Sequence, residues 1–300
     1  MIHECFFYVK FSRLRALLFY NKIVFQPNLR ASSQILRRKV GRGRQKEKKI
    51  TSIGVTIDGD INDFSMGEAT SLPLATGVSL SRPDTHVFVF GGDGDGFSIG
   101  GNHLEHCARK NINLTYVIMD NYVYGLTKKQ TSPTSRIGYK SKTDPTGAID
   151  RPVNPMRKLI SAGATFVARS HASQVKHMMA MYERAILHPG FSVVQTLSEC
   201  VIFNPGSFDD SIPRKGGVFE TIDEKKWDDT PEDAERHDVT NDVSAYQLAE
   251  DQYPGKFGVF YEEDRPTKNV LEQKWIDASQ EKIGDAKAAD LLRKRFAMMK

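Results

Sequence analysis

The feature that most constrains the fold is a strand–helix–strand pattern between residues 85 and 120. Two apolar runs, THVFVFGG (85–92) and INLTYVIMD (112–120), flank the helical stretch SIGGNHLEHCARK (98–110), which we expect to end at Asn111. The unit has about the 30 residues that a strand, a crossover helix and a parallel strand require. Near-continuous apolar strands are typical of a parallel sheet with both faces covered. The pattern therefore predicts an α/β protein.

The alternation of helices and strands continues towards the carboxyl end of the chain. Residues 126–155 are polar and rich in Pro, Ser and Thr, which predicts a long ordered loop with a functional role. After this loop we expect a helix near 155–162, a strand at 165–169, an amphipathic helix at 173–188, a strand at 191–197 and a closing helix at 286–300. This order predicts a doubly wound, mostly parallel sheet.

Charge divides the chain into unequal parts. Residues 1–50 hold 13 Lys and Arg against 2 Asp and Glu, whereas the other 250 residues hold 29 against 35. The basic stretch LRRKVGRGRQKEKK (36–49) has no aromatic residue to stack on bases, so the pattern does not favour nucleic-acid binding. We expect a basic, disordered or non-native segment at 1–49 and an α/β domain at 50–205. Residues 206–300, which turn polar and irregular, should form an extension that packs on the domain or on a partner.

Apolar run length and cysteine usage point to a cytoplasmic protein. The longest apolar run is far shorter than the roughly 18 residues that a membrane span needs, so no membrane association is expected. The three cysteines, Cys5, Cys107 and Cys200, are far apart and odd in number. This argues against a disulfide framework and for a reducing compartment.

The glycine-rich stretch GGDGDGFSIGG (91–101) ends the first apolar strand. No lysine follows it as in a P-loop, its glycines depart from the dinucleotide spacing G-x-G-x-x-G, and Phe97 stands where an EF-hand needs an oxygen ligand. One remaining interpretation is a tight turn whose aspartates cap the helix at Ser98. The other is a site for a metal ion and a phosphate.

The second interpretation depends on two polar residues that follow neighbouring strands. Asp93 lies just past the first apolar strand and Asn121 just past the second. The carboxyl ends of adjacent parallel strands meet at one edge of the sheet, where open α/β proteins bind ligands. Mg²⁺ prefers hard oxygen ligands and shares them with substrate phosphates. The spacing therefore indicates a Mg²⁺–diphosphate site.

The longer segment 91–135 resembles the β subunit of 2-oxoacid:ferredoxin oxidoreductases, the 2-oxoglutarate type in particular. Within it, GDG followed 25 residues later by DN is similar to the thiamine-diphosphate motif. LPLATGVSLSRPD (72–84), HPGFSVVQTLSECVIFN (188–204) and parts of 237–267 resemble the flanking segments of the same family. The resemblance covers about residues 70–270 and implies the thiamine-diphosphate-binding fold.

The resemblance also assigns roles to individual residues. Mg²⁺ would be held by the side chains of Asp93 and Asn121 and by the backbone carbonyl of Val123. Lys128 would face the active site and pair with the carboxylate of a 2-oxoacid. The residues that would contact the cofactor are Gly92, Asp93, Gly94 and Asp95 at the diphosphate, Asn121 and Val123 at the metal, and Gly125, Leu126 and Thr127 in the turn beyond it.

The implied activity is oxidative decarboxylation of a 2-oxoacid on thiamine diphosphate. Electrons would pass through iron–sulfur centres to ferredoxin, and coenzyme A would capture the acyl group. A glutamate that activates the cofactor comes from the partner α subunit in this family, so the chain would form half of an active site.

One part of the family pattern is missing. The family holds a [4Fe–4S] cluster on four cysteines of the β subunit, and only Cys200 matches one of them. Because such a cluster uses four thiolates, we expect no complete cluster on this chain alone. The alternatives are a truncated remnant that binds the cofactor without catalysis, and a cluster-free thiamine-dependent decarboxylase or carboligase.

Overall fold

The computed structural model describes residues 71–83, 85–224, 236–250, 255–284 and 288–298, together with the backbone of four strands nearer the amino end. Three of these strands, β1 (Phe6–Lys10), β2 (Arg15–Phe19) and β3 (Lys22–Ile23), pair antiparallel in a small sheet of their own. The rest of the segment 1–49 lies outside the described residues. Its disorder and the three-part division of the chain remain predictions.

The main sheet has six strands in the order β4-β5-β6-β8-β7-β9. All neighbours run parallel except β9, which lies antiparallel to β7 at one edge. The doubly wound, mostly parallel sheet predicted from the sequence is confirmed. The strands are β4 (Lys49–Ile53), β5 (Thr85–Gly92), β6 (Leu114–Asp120), β7 (Phe166–His171), β8 (Phe191–Leu197) and β9 (Gly258–Glu262).

Helices connect and cover these strands. A π-helical turn, Asp95–Ile99, separates β5 from the helix that crosses to β6. In the described part of the chain none of the helices is long and apolar enough to cross a membrane. The α-helices described are α1 (Ser71–Ser81), α2 (Gly101–Lys110), α3 (Pro155–Ser161), α4 (Val175–Leu187), α5 (Asp242–Leu248), α6 (Lys268–Ile283) and α7 (Ala288–Ala297).

Alternate residues of the strands β5 to β9 enter two hydrophobic cores, one on each face of the sheet. On one face Val89 and Tyr116 pack with residues of α1, α2 and α3. On the other face Phe88 and Val117 pack with α4, including Met178. Burial of both faces explains the near-continuous apolar strands, and each fully buried large side chain contributes about 1.5–3 kcal/mol. The fold is therefore a three-layer α/β arrangement with the sheet between two layers of helices.

Apart from shifts of one to three residues at the ends of several elements, the structure differs from the sequence expectation in three main respects. The helix expected at 98–110 starts at Gly101, because the π-helical turn takes the residues before it. Helix α1 was missed because Ser, Pro and Gly are weak helix formers and its packing against β5 outweighs propensity. The irregular region expected after residue 205 was wrong in part, since α5, β9 and α6 lie there. Asn111 does end α2, in the left-handed conformation (φ 48°).

Candidate functional site

The carboxyl ends of β5 and β6 bring two expected metal ligands side by side. Asp93 follows the last residue of β5, and Asn121 follows the last residue of β6. Both side chains are buried, and the Asn121 backbone N–H donates to Asp93 Oδ1 at 3.5 Å. The convergence expected from the strand ends is therefore present, while the role of these residues as metal ligands stays a prediction.

A tight turn places the third expected ligand next to them. The side-chain oxygen of Asn121 accepts a hydrogen bond from the backbone N–H of Val123 at 3.0 Å. Tyr122, between the two, has a φ of 59°, in the left-handed region that a bulky residue seldom adopts. A conformation of this kind costs on the order of 1–3 kcal/mol and is held by its surroundings, often at functional sites. The turn thus holds the Asn121 side-chain oxygen against the backbone N–H of Val123, while the backbone N–H of Asn121 faces the Asp93 carboxylate.

The three glycines at the end of β5 have different surroundings. A Cβ at Gly91 would lie 2.6 Å from Asp95 Oδ2, so the absence of a side chain at Gly91 allows the Asp95 carboxylate to lie close to the backbone. A Cβ at Gly94 would enter the ring of Tyr124, whose hydroxyl donates to the Gly94 carbonyl at 3.3 Å. No atom lies within 4 Å of the Cβ position at Gly92. Only Gly92 of the three therefore borders the open space that a phosphate group requires.

Asp95, expected beside the diphosphate, is turned towards the core. Its Oδ2 accepts a hydrogen bond from the hydroxyl of Tyr116 at 3.5 Å. Burial raises the pKa of Tyr116 well above its ordinary value, and the negative charge of Asp95 raises it further. The tyrosine therefore stays protonated and acts as the donor, and Asp95 anchors the π-helical turn to β6.

A second buried carboxylate, Asp120, directly precedes the turn formed by residues 121–123, which carries two of the expected ligands and is called the ligand turn below. Thr134 Oγ1 lies 2.8 Å from Asp93 Oδ2 and 2.9 Å from Asp120 Oδ1. Burial raises the pKa of Asp93, and hydrogen bonds from Ser132 and Thr134 oppose that rise. Burial and the charge of Asp93 together raise the pKa of Asp120 to about 8. Two buried carboxylates this close repel each other, which is the electrostatic situation that a divalent cation relieves.

The remaining expected cofactor and substrate residues lie on the turn at 124–130. Tyr124 and Gln130 pair at its base, and the Thr127 hydroxyl donates to the side-chain oxygen of Gln130. Leu126 and Lys128 are exposed, and the backbone N–H of Lys128 donates to the Gly125 carbonyl at 3.1 Å. Lys128 has a left-handed φ of 71°. Their contacts with a cofactor or substrate stay predictions.

The described cysteines do not form a cluster site. Cys107 is buried on α2 with its Sγ 3.2 Å from the Thr76 hydroxyl, and burial raises the pKa of its thiol. Cys200 is half-buried on the turn after β8, and both thiols are free. Within the ranges that the structure describes, no three His, Cys, Asp or Glu side chains could share a metal ion. The side chain of Cys5 lies outside those ranges.

The donor set fits Mg²⁺ and does not fit an iron–sulfur cluster. Asp93, Asn121 and Val123 offer a carboxylate, an amide oxygen and a carbonyl, which are the hard oxygen ligands that Mg²⁺ prefers. Gly92 leaves space next to Asp93 for a phosphate group. A [4Fe–4S] cluster needs four thiolates, and among the described residues only Cys107 and Cys200 supply one.

Comparison with known proteins assigns the family. A model of the thiamine pyrophosphate enzyme C-terminal TPP binding domain matches residues 64–196. The 2-oxoacid:ferredoxin oxidoreductase subunit beta of Saccharolobus solfataricus is 30% identical over 260 residues, which cover 83% of each chain. The chain belongs to the β-subunit family of the 2-oxoacid:ferredoxin oxidoreductases. The resemblance stated from the sequence and the thiamine-diphosphate-binding fold are confirmed.

Other relatives of this β-subunit family match a shorter part. The 2-oxoglutarate oxidoreductase subunit KorB of Mycobacterium tuberculosis is 46% identical over 149 residues, which cover 50% of this chain and 39% of that protein. The 2-oxoglutarate synthase subunit KorB of Archaeoglobus fulgidus is 40% identical over 169 residues, covering 54% and 63%. The chain thus spans less than two thirds of the length of these two relatives.

A solved structure supports the fold over most of the chain. It is the 2-oxoglutarate:ferredoxin oxidoreductase from Magnetococcus marinus with 2-oxoglutarate, coenzyme A and succinyl-CoA bound. It superposes with a TM-score of 0.66 at 33% identity and covers 85% of this chain and 84% of the matched chain. The oxidoreductase fold therefore extends well beyond the segment 64–196.

Sequence reasoning missed the buried polar residues behind the site, namely Asp120, Thr134, Arg169 and Gln195. Arg169 and Gln195 are the large polar residues of TFVAR and FSVVQTL, whose other residues are apolar or carry small hydroxyl groups, and this was the signal that could have found them. A polar side chain in a fully buried strand needs a buried partner.

Proposed function

We propose that this chain is the thiamine-diphosphate-binding β subunit of a 2-oxoacid:ferredoxin oxidoreductase that acts on 2-oxoglutarate in the cytoplasm. The observation that carries the proposal is the pairing of buried Asp93 with Asn121 at adjacent strand ends, beside the open space at Gly92. The family membership of the chain supports the same conclusion. The free thiols Cys107 and Cys200 support a reducing compartment.

The residues of the site would hold Mg²⁺ and the cofactor as follows. Asp93, Asn121 and the Val123 carbonyl would bind the cation, and Gly92 would border the diphosphate. When bound, thiamine diphosphate supplies the electron sink that decarboxylation of a 2-oxoacid requires. Lys128 lies on an exposed turn from which its ammonium group would pair with the substrate carboxylate.

The partners follow from the named relatives. Relatives are named as β subunits, which supports an α subunit as the partner of this chain. The name of the Magnetococcus marinus enzyme includes ferredoxin, and its structure contains 2-oxoglutarate and coenzyme A. We assign the same electron acceptor and the same acyl acceptor to the complex that contains this chain.

The route of the electrons separates this proposal from a second one. The described residues offer no set of thiolates for a [4Fe–4S] cluster, which favours a cluster-free variant that decarboxylates or ligates without passing electrons to ferredoxin. A truncated remnant that binds the cofactor only is the non-catalytic form of the same alternative.

The test uses the chain together with its α subunit, co-expressed and purified without air. We expect reduction of ferredoxin that requires both 2-oxoglutarate and coenzyme A, and iron bound to the complex. The Asp93→Asn complex should assemble normally and lose this activity. Release of carbon dioxide from 2-oxoglutarate with no iron and no ferredoxin reduction would establish the cluster-free alternative, and cofactor binding without turnover would establish the remnant.

A further inference from the structure

A chain of buried polar side chains crosses three neighbouring strands and ends at the metal-ligand turn. Arg169 on β7 donates through its Nε to Gln195 Oε1 on β8 at 2.8 Å, and Gln195 Nε2 donates to Asp120 Oδ2 at the end of β6 at 2.6 Å. All three residues are at most 1% exposed. Arginine can only donate and the carboxylate accepts here, so the Gln195 amide has one possible orientation. The chain therefore fixes the position of the Asp120 carboxylate.

The other oxygen of Asp120 holds the ligand turn and the loop that covers it. Asp120 Oδ1 accepts from the backbone N–H of Tyr122 at 3.2 Å and lies 2.9 Å from the hydroxyl oxygen of Thr134. The neighbouring Ser135 hydroxyl donates to the Tyr122 carbonyl at 2.7 Å. Tyr122 is the residue in the left-handed conformation between Asn121 and Val123. These contacts hold the unfavourable backbone conformation that sets the positions of both ligands.

Thr134 connects this turn to the third ligand. Its hydroxyl oxygen lies 2.8 Å from Asp93 Oδ2, although 41 residues separate the two in sequence. Thr134 is only 3% exposed, so bulk water does not replace this contact. Asp93 Oδ1 faces the Asn121 backbone N–H at the same time. Thr134 therefore sets the rotation of the Asp93 carboxylate relative to the turn that carries the other ligands.

Stability alone does not account for this arrangement. Burying an arginine and a carboxylate is expensive, and well-packed apolar residues of similar size are often as stable or more so. Arg169 Nη1 is buried with no hydrogen-bond partner, a further cost. Side chains that hydrogen-bond to metal ligands orient them, and their loss typically lowers metal affinity about 10–100-fold.

We propose that Thr134 and Asp120 are positioning residues for the Mg²⁺ ligands Asp93, Asn121 and Val123, and that Gln195 and Arg169 hold Asp120 in place. This inference rests on the proposed function, because it concerns the same cation and cofactor. It predicts that an uncharged hydroxyl outside the ligand set controls how strongly the site binds Mg²⁺.

The test measures the Mg²⁺ concentration that half-saturates binding of thiamine diphosphate, by equilibrium dialysis at a temperature where every variant is folded. We expect Thr134→Val to raise this concentration about 10–100-fold and Gln195→Leu to raise it about 10-fold. Thr134→Ser keeps the hydroxyl and should stay within about 3-fold of the parent. Thr131→Val removes a hydroxyl of the same loop that binds Ser141 and Asp144 instead, and should not change the concentration.

The outcomes distinguish failure of the positioning role from failure of the proposed function. If the parent binds thiamine diphosphate with Mg²⁺ and Thr134→Val needs no more Mg²⁺ than Thr131→Val, the positioning role is refuted and the proposed function stands. If the parent binds the cofactor equally well without Mg²⁺, both are refuted. Should Thr134→Val fail to fold, the comparison of Gln195→Leu with the parent decides the inference in the same way.

Discussion

Alanine at Gly91 should destabilise the fold, whereas alanine at Gly92 should weaken cofactor binding. The Cβ added at Gly91 would lie 2.6 Å from Asp95 Oδ2, and ordinary contacts begin at 3.4 Å. The hydroxyl of Tyr116, a fully buried residue, would be nearer still. Overpacking of this kind costs about 1–3 kcal/mol, which corresponds to about 2–4 °C of melting temperature per kcal/mol.

The matched change at Gly92 meets no atom within 4 Å, so the cofactor-free protein should keep its stability within about 0.5 kcal/mol. The methyl group would occupy the space assigned to the diphosphate and should weaken thiamine-diphosphate binding at least tenfold, about 1.4 kcal/mol. Denaturant unfolding of both variants without cofactor, followed by calorimetric titration with Mg²⁺ and thiamine diphosphate, measures the two effects. Parent-like cofactor affinity in Gly92→Ala would show that Gly92 does not border the diphosphate, and a larger loss of stability there than in Gly91→Ala would contradict the difference in packing at the two glycines.

Three further predictions concern other parts of the chain. Burial lowers the pKa of His171 from 6.5 to about 4. The contribution of this histidine to the free energy of unfolding is therefore complete above pH 6.5 and is lost as the pH falls towards 4. Between pH 7 and pH 5 the parent should lose about 2 kcal/mol more of its free energy of unfolding than His171→Asn, as measured by denaturant unfolding. Gly190→Ala should unfold the protein at lower temperature by several degrees, because φ is 146° and the Cβ would lie 2.5 Å from Asn111 Oδ1 and Thr165 Oγ1; parent-like melting would contradict this. Lys128→Met should leave the melting temperature unchanged and raise the KM for 2-oxoglutarate in the complex with the α subunit, and an unchanged KM would exclude its role at the substrate carboxylate.

The parts of the site that follow from strand ends could be predicted from the sequence. Asp93 and Asn121 each follow an apolar strand, and adjacent parallel strands necessarily bring such residues together. The mostly parallel sheet could also be predicted, because alternating strands and helices are the pattern of such a sheet. Strand β9 could not be found in this way, because an edge strand of five residues carries little periodic signal.

The buried network could not be predicted because its members come from distant segments. Thr134 reaches Asp93 from a long loop, and Gln195 reaches Asp120 across a strand order that the sequence does not state. The different roles of Gly91 and Gly92 also depend on which side chains pack nearby, which only the folded chain shows. Tertiary contacts of this kind shape the site but have no recognisable pattern in the local sequence.

The most direct test of the account is a calorimetric titration of the purified chain with thiamine diphosphate, with and without Mg²⁺, for the parent and for Asp93→Asn. The parent should bind the cofactor at least about tenfold more tightly with Mg²⁺, and Asp93→Asn should lose this dependence while remaining folded. Binding by the parent that is indifferent to Mg²⁺, or a fully retained Mg²⁺ dependence in Asp93→Asn, would contradict the account.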